Sequence, residues 1–238
     1  MTYLDKFKII AEVGQAHEGN IVTLHSYIDA IAKTGVKTIK FQAHISEYES
    51  SSFDKFRTKN KYMQYSTREE YWKAMEFSKT QWKDIKNHCE EKGLFFLCSP
   101  FSLEAAKLLN NIGIKAWKIG SGEVTNYPMI EFIAKTKKPI ILSSGMSNFK
   151  EIDETIKIIK KFNNKILLMQ CTSMYPCRDE MIGLNVIKEM KERFKVPVGF
   201  SDHSGDISTS FVAISNGADF IELHVIFDKS IDTFDTSS

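Results

Sequence analysis

Eight short apolar segments recur along the chain, at residues 8–13, 36–41, 94–98, 115–119, 139–142, 165–169, 197–200 and 219–223. They are too short for core helices and rich in β-branched and aromatic residues, which reads as buried strands. Between most of them lies a stretch with helical spacing, such as IVTLHSYIDAIAKT closed by Gly35 or TQWKDIKNHCEEK closed by Gly93. Asn20 and Ser147 are candidate N-caps, and Pro128 suits a first helical turn. Strand alternating with helix, eight times in 238 residues, predicts an α/β protein of the (β/α)8 TIM-barrel type in preference to an open doubly wound sheet. With 42% hydrophobic residues the chain can bury one large core, so residues 1–238 are read as a single barrel domain.

Two places break the pattern. Residues 42–66 form a polar, charged and aromatic connection far longer than the usual βα loop of about two to six residues. Such a loop at the C-terminal end of a strand either caps a site or is a plain surface insertion. After the eighth strand comes only VIFDKSIDTFDTSS, with neither the length nor the periodicity of a closing eighth helix. The apolar flank that such a helix covers is expected to be exposed and to drive self-association.

Composition excludes several classes. A net charge of +2, from 32 basic and 30 acidic residues, gives no broad footprint for nucleic acid or an anionic membrane, so any anion site must be local. No apolar run approaches the roughly 18 residues of a membrane span, and the N-terminus lacks a signal-peptide core. Cys89, Cys98, Cys171 and Cys177 form no CxxC pair and read as reduced thiols. The expected location is cytoplasmic.

In a barrel, side chains at the C-terminal ends of the strands converge on one mouth. Those positions here carry Glu12, Lys40, Gln42, Lys118, Ser121, Glu123, Ser143, Ser173, Tyr175, Ser201, His203 and His224. Lys40 and Lys118 each interrupt an apolar strand, where an unpaired ammonium is costly to bury. Their partner is a carboxylate, Glu12 or Glu123, or the phosphate or carboxylate of a substrate held with serine hydroxyls and glycine-associated amides. A Schiff-base lysine is the third alternative. His203 and His224 end adjacent strands and would grip one divalent cation, with Asp202 and Glu222 as carboxylates that orient them and waters or substrate completing the shell. His17 is a further ligand, a substrate contact or a loop histidine satisfied by backbone. His25, His44 and His88 receive no role.

The run AEVGQAHEGN, KFQ, CSPFS, KIGSGEVTN, SSGMS, CTSMYP, GFSDHSG and IELHV, in that order across nearly the whole chain, resembles the sialic acid synthase family of phosphoenolpyruvate-dependent N-acetylneuraminate synthases and related nonulosonic acid synthases. The resemblance implies a transferase condensing phosphoenolpyruvate with the aldehyde of an N-acylhexosamine, such as N-acetylmannosamine, to give a nonulosonic acid and phosphate. It implies Mn²⁺ or Mg²⁺ on His203 and His224; phosphoenolpyruvate on Lys40, Lys118, Ser121, Ser143 and Ser201; Glu12 and Glu123 near the reacting carbons; and Gln42, Ser173, Tyr175 and Asp235 toward the amino sugar. Ala16 and Ser173 stand where family members often carry Asn, and Thr233-Phe234 replaces the glycine-proline that commonly precedes the late aspartate. The family's C-terminal antifreeze-like domain, swapped across a homodimer, is absent from the 238 residues, which are then the catalytic barrel. Another metal-dependent or Schiff-base aldolase chemistry, and a non-catalytic binding fragment, are the competing expectations.

Overall fold

The computed structural model describes residues 3–56, 65–163 and 165–231. A short α1 (Tyr3–Lys6) leads into β1 (Ile9–Gly14), α2 (Ile21–Ile31) and β2 (Thr38–Ala43). Then follow α3 (Arg68–Met75), α4 (Lys79–Glu91), β3 (Phe95–Pro100), α5 (Leu103–Asn111), β4 (Trp117–Ile119), α6 (Tyr127–Lys135), β5 (Ile140–Ser143) and α7 (Phe149–Lys160). The series closes with β6 (Ile166–Gln170), α8 (Asn185–Phe194), β7 (Val198–Asp202), α9 (Ile207–Ser215) and β8 (Ile221–His224). All eight predicted strands are present, each within about two residues of its expected bounds.

Local chemistry fixes the helix ends. The Asn20 side chain accepts from the amides of Val22 and Thr23, as an N-cap should. Pro128 lies in the first turn of α6. Ser147 is not the cap of α7. Asn148 takes that place, because its amide oxygen reaches Lys150 and Glu151 while Glu151 returns a bond to the Asn148 amide. Gly35 and Gly93, read as helix terminators, adopt φ of +86° and +74°, values an L side chain resists. Helix α3 is an addition to the expected series, although its capping box, Thr67 with Glu70, is a local sequence signal.

The strands form one parallel sheet in the order β3-β2-β1-β8-β7-β6-β5-β4. β3 and β4 lie side by side, so the sheet curls into a barrel whose seam falls at the three-residue β4. Strand residues alternate between barrel and helix layer. Ile39 and Phe41 of β2 therefore pack outward with Trp82 and Ile85 of α4, whereas Ile10, Leu97, Ile141, Met169 and Phe220 fill the barrel's floor. Gly199 belongs to that floor for a steric reason: a Cβ there would lie 2.5 Å from the Phe220 ring. The barrel is thus packed solid below, and the next inward-facing level, toward the strand C-termini, turns polar.

Among the described residues no helix follows β8. Residues 225–231 instead run past α2, where Phe227 stacks on Tyr27 with centroids 4.0 Å apart. Beside this gap α9 leaves Ile207, Phe211 and Ile214 more than half exposed, at 68%, 63% and 53%, whereas Ala11, Val13 and Ile221 on the flank between β1 and β8 are buried, so the exposed apolar surface lies on α9 and not where it was expected. No described helix is long and apolar enough to cross a membrane. The four cysteines are free and buried. His25 and His88 hydrogen-bond to each other between α2 and α4, outside the barrel.

Candidate active site

Just above the apolar floor sit four buried charges in alternating sign. Lys40 lies 2.8 Å from Glu12 Oε1 and 3.4 Å from Glu222 Oε1, and Lys118 donates to both Glu222 oxygens at 2.8 and 2.9 Å. The register explains part of the meeting: Glu12 pairs with Lys40 across β1–β2, while Glu222, paired with Ile10 across β1–β8, reaches both lysines with its side chain. All four are less than 5% exposed. Of the two carboxylates expected to serve the lysines, only Glu12 does so. Glu123, in the 3₁₀ turn Ser121–Glu123, accepts from Asn126 at 2.8 Å instead. Glu222 replaces it.

Burial opposes the ammonium of Lys40, but Glu12 and Glu222 outweigh that cost and hold its pKa above the ordinary lysine value. At Lys118 burial wins and the value is lowered, because Glu222 compensates only in part and Lys40 repels. Burial likewise opposes the charge on Glu222, yet the two lysines bring its value down. Burial pushes Glu123 up, with Glu49 adding repulsion. Glu12 Oε2 and Ser99 Oγ, at the ends of β1 and β3, are buried without a hydrogen-bond partner among the described residues. Both are therefore open to a bound molecule or water.

The histidines stand on the next level. Their ring centroids are 5.6 Å apart, and Tyr175, 48% exposed, lies over His203 at 4.3 Å. His203 Nδ1 is 2.8 Å from the Thr172 carbonyl, which fixes the Nδ1–H tautomer and leaves Nε2 as the lone pair, 3.2 Å from Ser201 Oγ. Burial, reinforced by His224, lowers the His203 pKa to about 4, so the ring is neutral at physiological pH. The expected orienting carboxylates do other work. Asp202 faces the helix layer and accepts from Ser204 and Ser210, and Glu222 serves the lysines. Among the described residues no group of three or more His, Cys, Asp or Glu side chains is arranged to hold a cation. Of the alternatives for His17, the loop histidine bonded to backbone has support: its Nδ1 accepts from the Gly19 amide and its ring packs on Phe77.

Hydroxyls close the opposite wall. Ser143 is buried at the end of β5, and Ser201 donates to Glu222 at 3.2 Å. Ser121 accepts from the Gly145 amide, and a Cβ on Gly145 would fall within 2.9 Å of Ser121 Oγ, Ser173 Oγ and Cys171 Sγ. Only glycine lets these three loops meet. Gln42 donates to Glu12 Oε1 at 2.7 Å. In the long connection His44 lies 3.3 Å from Gln42 Oε1 and stacks on Phe101, and Glu49, together with Trp72 of α3, contacts His44 in turn. His44 was overlooked, although it continues the inward alternation Lys40, Gln42, His44. Asp235 lies outside the described residues.

A (β/α)8 barrel whose polar groups gather at the C-terminal ends of its strands belongs to the class of barrels that carry a small-molecule site at that face. More particularly, the chain belongs to the NeuB family, whose sequence model matches residues 27–238. An uncharacterized protein of Methanocaldococcus jannaschii is 37% identical over 94% of this chain and 63% of its own length. The human N-acetylneuraminate-9-phosphate synthase is 32% identical, over 93% of this chain and 62% of its own. The N,N'-diacetyllegionaminic acid synthase of Campylobacter jejuni is 34% identical, over 96% and 70%. This chain thus spans less than two thirds of the first two relatives. The crystal structure of the sialic acid synthetase from Leptospira borgpetersenii, in complex with citrate, superposes with a TM-score of 0.85 at 29% identity, covering 97% of this chain and 77% of that one.

Proposed function

We propose that this chain is the catalytic barrel of a synthase that joins phosphoenolpyruvate to the open-chain aldehyde of an N-acylhexosamine, N-acetylmannosamine or a close analogue, forming a nonulosonic acid and phosphate. The observation that carries the reading is the buried Glu12–Lys40–Glu222–Lys118 array beneath a mouth lined with serines. Within this charge-balanced array the two ammonium groups are the local cationic donors that a phosphorylated carboxylate can use. The synthases among the relatives, and the citrate bound by the Leptospira protein, are consistent with an anionic substrate.

In this reading Lys40, Lys118, Ser121, Ser143 and Ser201 hold phosphoenolpyruvate, while Gln42, Ser173 and Tyr175 contact the amino sugar, with Asp235 as a further sugar contact. C3 of phosphoenolpyruvate forms the new bond to the aldehyde carbon, and the aldehyde oxygen takes up a proton. Water adds to C2 and loses one proton, balancing the one taken up by the aldehyde oxygen; the C2–O bond to phosphate then breaks as the C2 hydroxyl passes its proton to the departing phosphate and C2 becomes the ketone carbon. The open oxygen of Glu12, Oε2, is suited to orient that water or receive its proton, while Lys40 holds the other oxygen, Oε1. Glu123, whose pKa burial raises, is proposed to stand near the reacting carbons and assist the complementary proton movement. The lone pair on neutral His203 Nε2, beside His224, fits a two-imidazole hold on Mn²⁺ or Mg²⁺, with Ser201 giving way. When bound, such a cation orients and polarises the aldehyde. Phosphoenolpyruvate is an intracellular metabolite, so the location proposed is cytoplasmic, and the full-length protein is proposed to be a homodimer.

The test is phosphate release, which must require phosphoenolpyruvate and the amino sugar together. Titration calorimetry supplies the binding side: Lys40→Met or Lys118→Met should weaken phosphoenolpyruvate by about 2–5 kcal/mol, and His203→Ala or His224→Ala should abolish Mn²⁺ binding. A borohydride-trapped adduct on either lysine would replace this reading with Schiff-base chemistry.

A further inference from the structure

His44 follows β2 directly and is 2% exposed. Its ring is clamped between Trp72 and Phe101, with centroids at 4.0 and 4.5 Å and planes within 20° of parallel, so it cannot turn freely. Its two nitrogens face different chemistry. Nδ1 lies 2.9 Å from Glu49 Oε2, a carboxylate that accepts. Nε2 lies 3.1 Å from Gln15 Nε2, an amide that donates, and 3.3 Å from Gln42 Oε1. In the Nδ1–H tautomer Nδ1 donates to Glu49 and Nε2 accepts from Gln15, its nearer neighbour, and the Gln42 oxygen takes its hydrogen from Gln15 and not from His44.

The direction of every later bond follows. The second amide hydrogen of Gln15 goes to Gln42 Oε1, so the oxygen of Gln42 points toward Gln15 and its NH₂ group toward Glu12, where one hydrogen meets Oε1 at 2.7 Å. Glu12 in turn holds Lys40. A flipped Gln42 would set NH₂ against NH₂ at Gln15 and oxygen against carboxylate at Glu12. Both contacts are repulsive.

We propose that His44, in its Nδ1–H tautomer, is a positioning residue that locks the Gln42 amide so that it presents an N–H donor, and not a carbonyl, to the amino sugar. The sugar atom received there is then a hydrogen-bond acceptor, a hydroxyl or acyl oxygen. The specificity part rests on the proposed role of Gln42 in sugar binding; the tautomer does not.

Two measurements separate those layers. Nitrogen-15 NMR of histidine-labelled protein should show His44 protonated at Nδ1 and bare at Nε2 near pH 7.5, and an Nε2–H tautomer would overturn the proposal whether or not the protein turns over. In steady-state phosphate release, His44→Phe keeps the aromatic slab and removes both nitrogens. It should raise KM for the amino sugar at least 10-fold while KM for phosphoenolpyruvate stays within twofold, and His44→Gln, which restores an acceptor near Nε2, should recover part of the loss. If His44→Phe shifts both KM values alike, or neither, the positioning role is wrong. If wild type releases no phosphate while the Nδ1–H tautomer is found, the proposed function fails and the amide lock stands.

Discussion

Replacing Glu222 with glutamine removes, among the described residues, the only carboxylate that touches Lys118 and one of the two that touch Lys40. Three charges then remain among these buried side chains, two positive and one negative, where burial limits solvent screening of the excess. Breaking a buried pair in this way costs about 3–5 kcal/mol. In a domain of this size that corresponds to a fall in Tm of about 6–20 °C. Lys118→Met should fall near the lower end of the same range, about 3 kcal/mol, because Glu222 keeps Lys40 and the Ser201 hydroxyl. The double variant leaves the neutral Glu12–Lys40 pair beside two uncharged side chains of similar volume. Its cost should therefore be smaller than the sum of the single costs by about 3 kcal/mol. Urea denaturation followed by circular dichroism at pH 7.5 reads all four corners of the cycle. Additivity within about 0.5 kcal/mol would refute the view that these residues form one charge-balanced array.

Gly199→Ala should destabilise the fold by about 1–3 kcal/mol through overpacking against Phe220, and an unchanged denaturation midpoint would show that the floor has slack. His203 is neutral in the fold, with a pKa of about 4 against about 6.5 when unfolded, so its contribution is complete above the unfolded value and lost as pH falls toward the folded one. Metal-free wild type should consequently lose up to about 3 kcal/mol more than His203→Gln between pH 7.5 and pH 4; parallel pH profiles would remove His203 as the cause. The bare face of α9 should make the chain self-associate, so light scattering should report a mass above the monomer and Phe211→Asp should lower it. A wild type that is monomeric at tens of micromolar would contradict that expectation.

Strand and helix were legible because both are written in short-range periodicity, and eight repeats of one unit leave few ways to bury eight apolar runs. The strand-end positions were legible for the same reason: with period two, Glu12, Lys40, Gln42, Lys118, Ser143, Ser201, His203 and His224 all fall on inward-facing sites. Partnership was not legible. Glu222 and Lys118 are 104 residues apart, and nothing local makes Glu222 a better partner than Glu123, which is only five positions from Lys118. Barrel closure decided it. β8 closes against β1 and brings Glu222 within bonding distance of both lysines, whereas Glu123 sits beyond the end of β4 in a 3₁₀ turn. The role of His44 was likewise a tertiary outcome, because its tautomer depends on Gln15, Glu49, Trp72 and Phe101 meeting from four separate segments. Sequence alone specified which groups face the mouth. Their charges and donor directions depend on distances of about 3 Å between residues far apart in the chain, and only the folded barrel sets those.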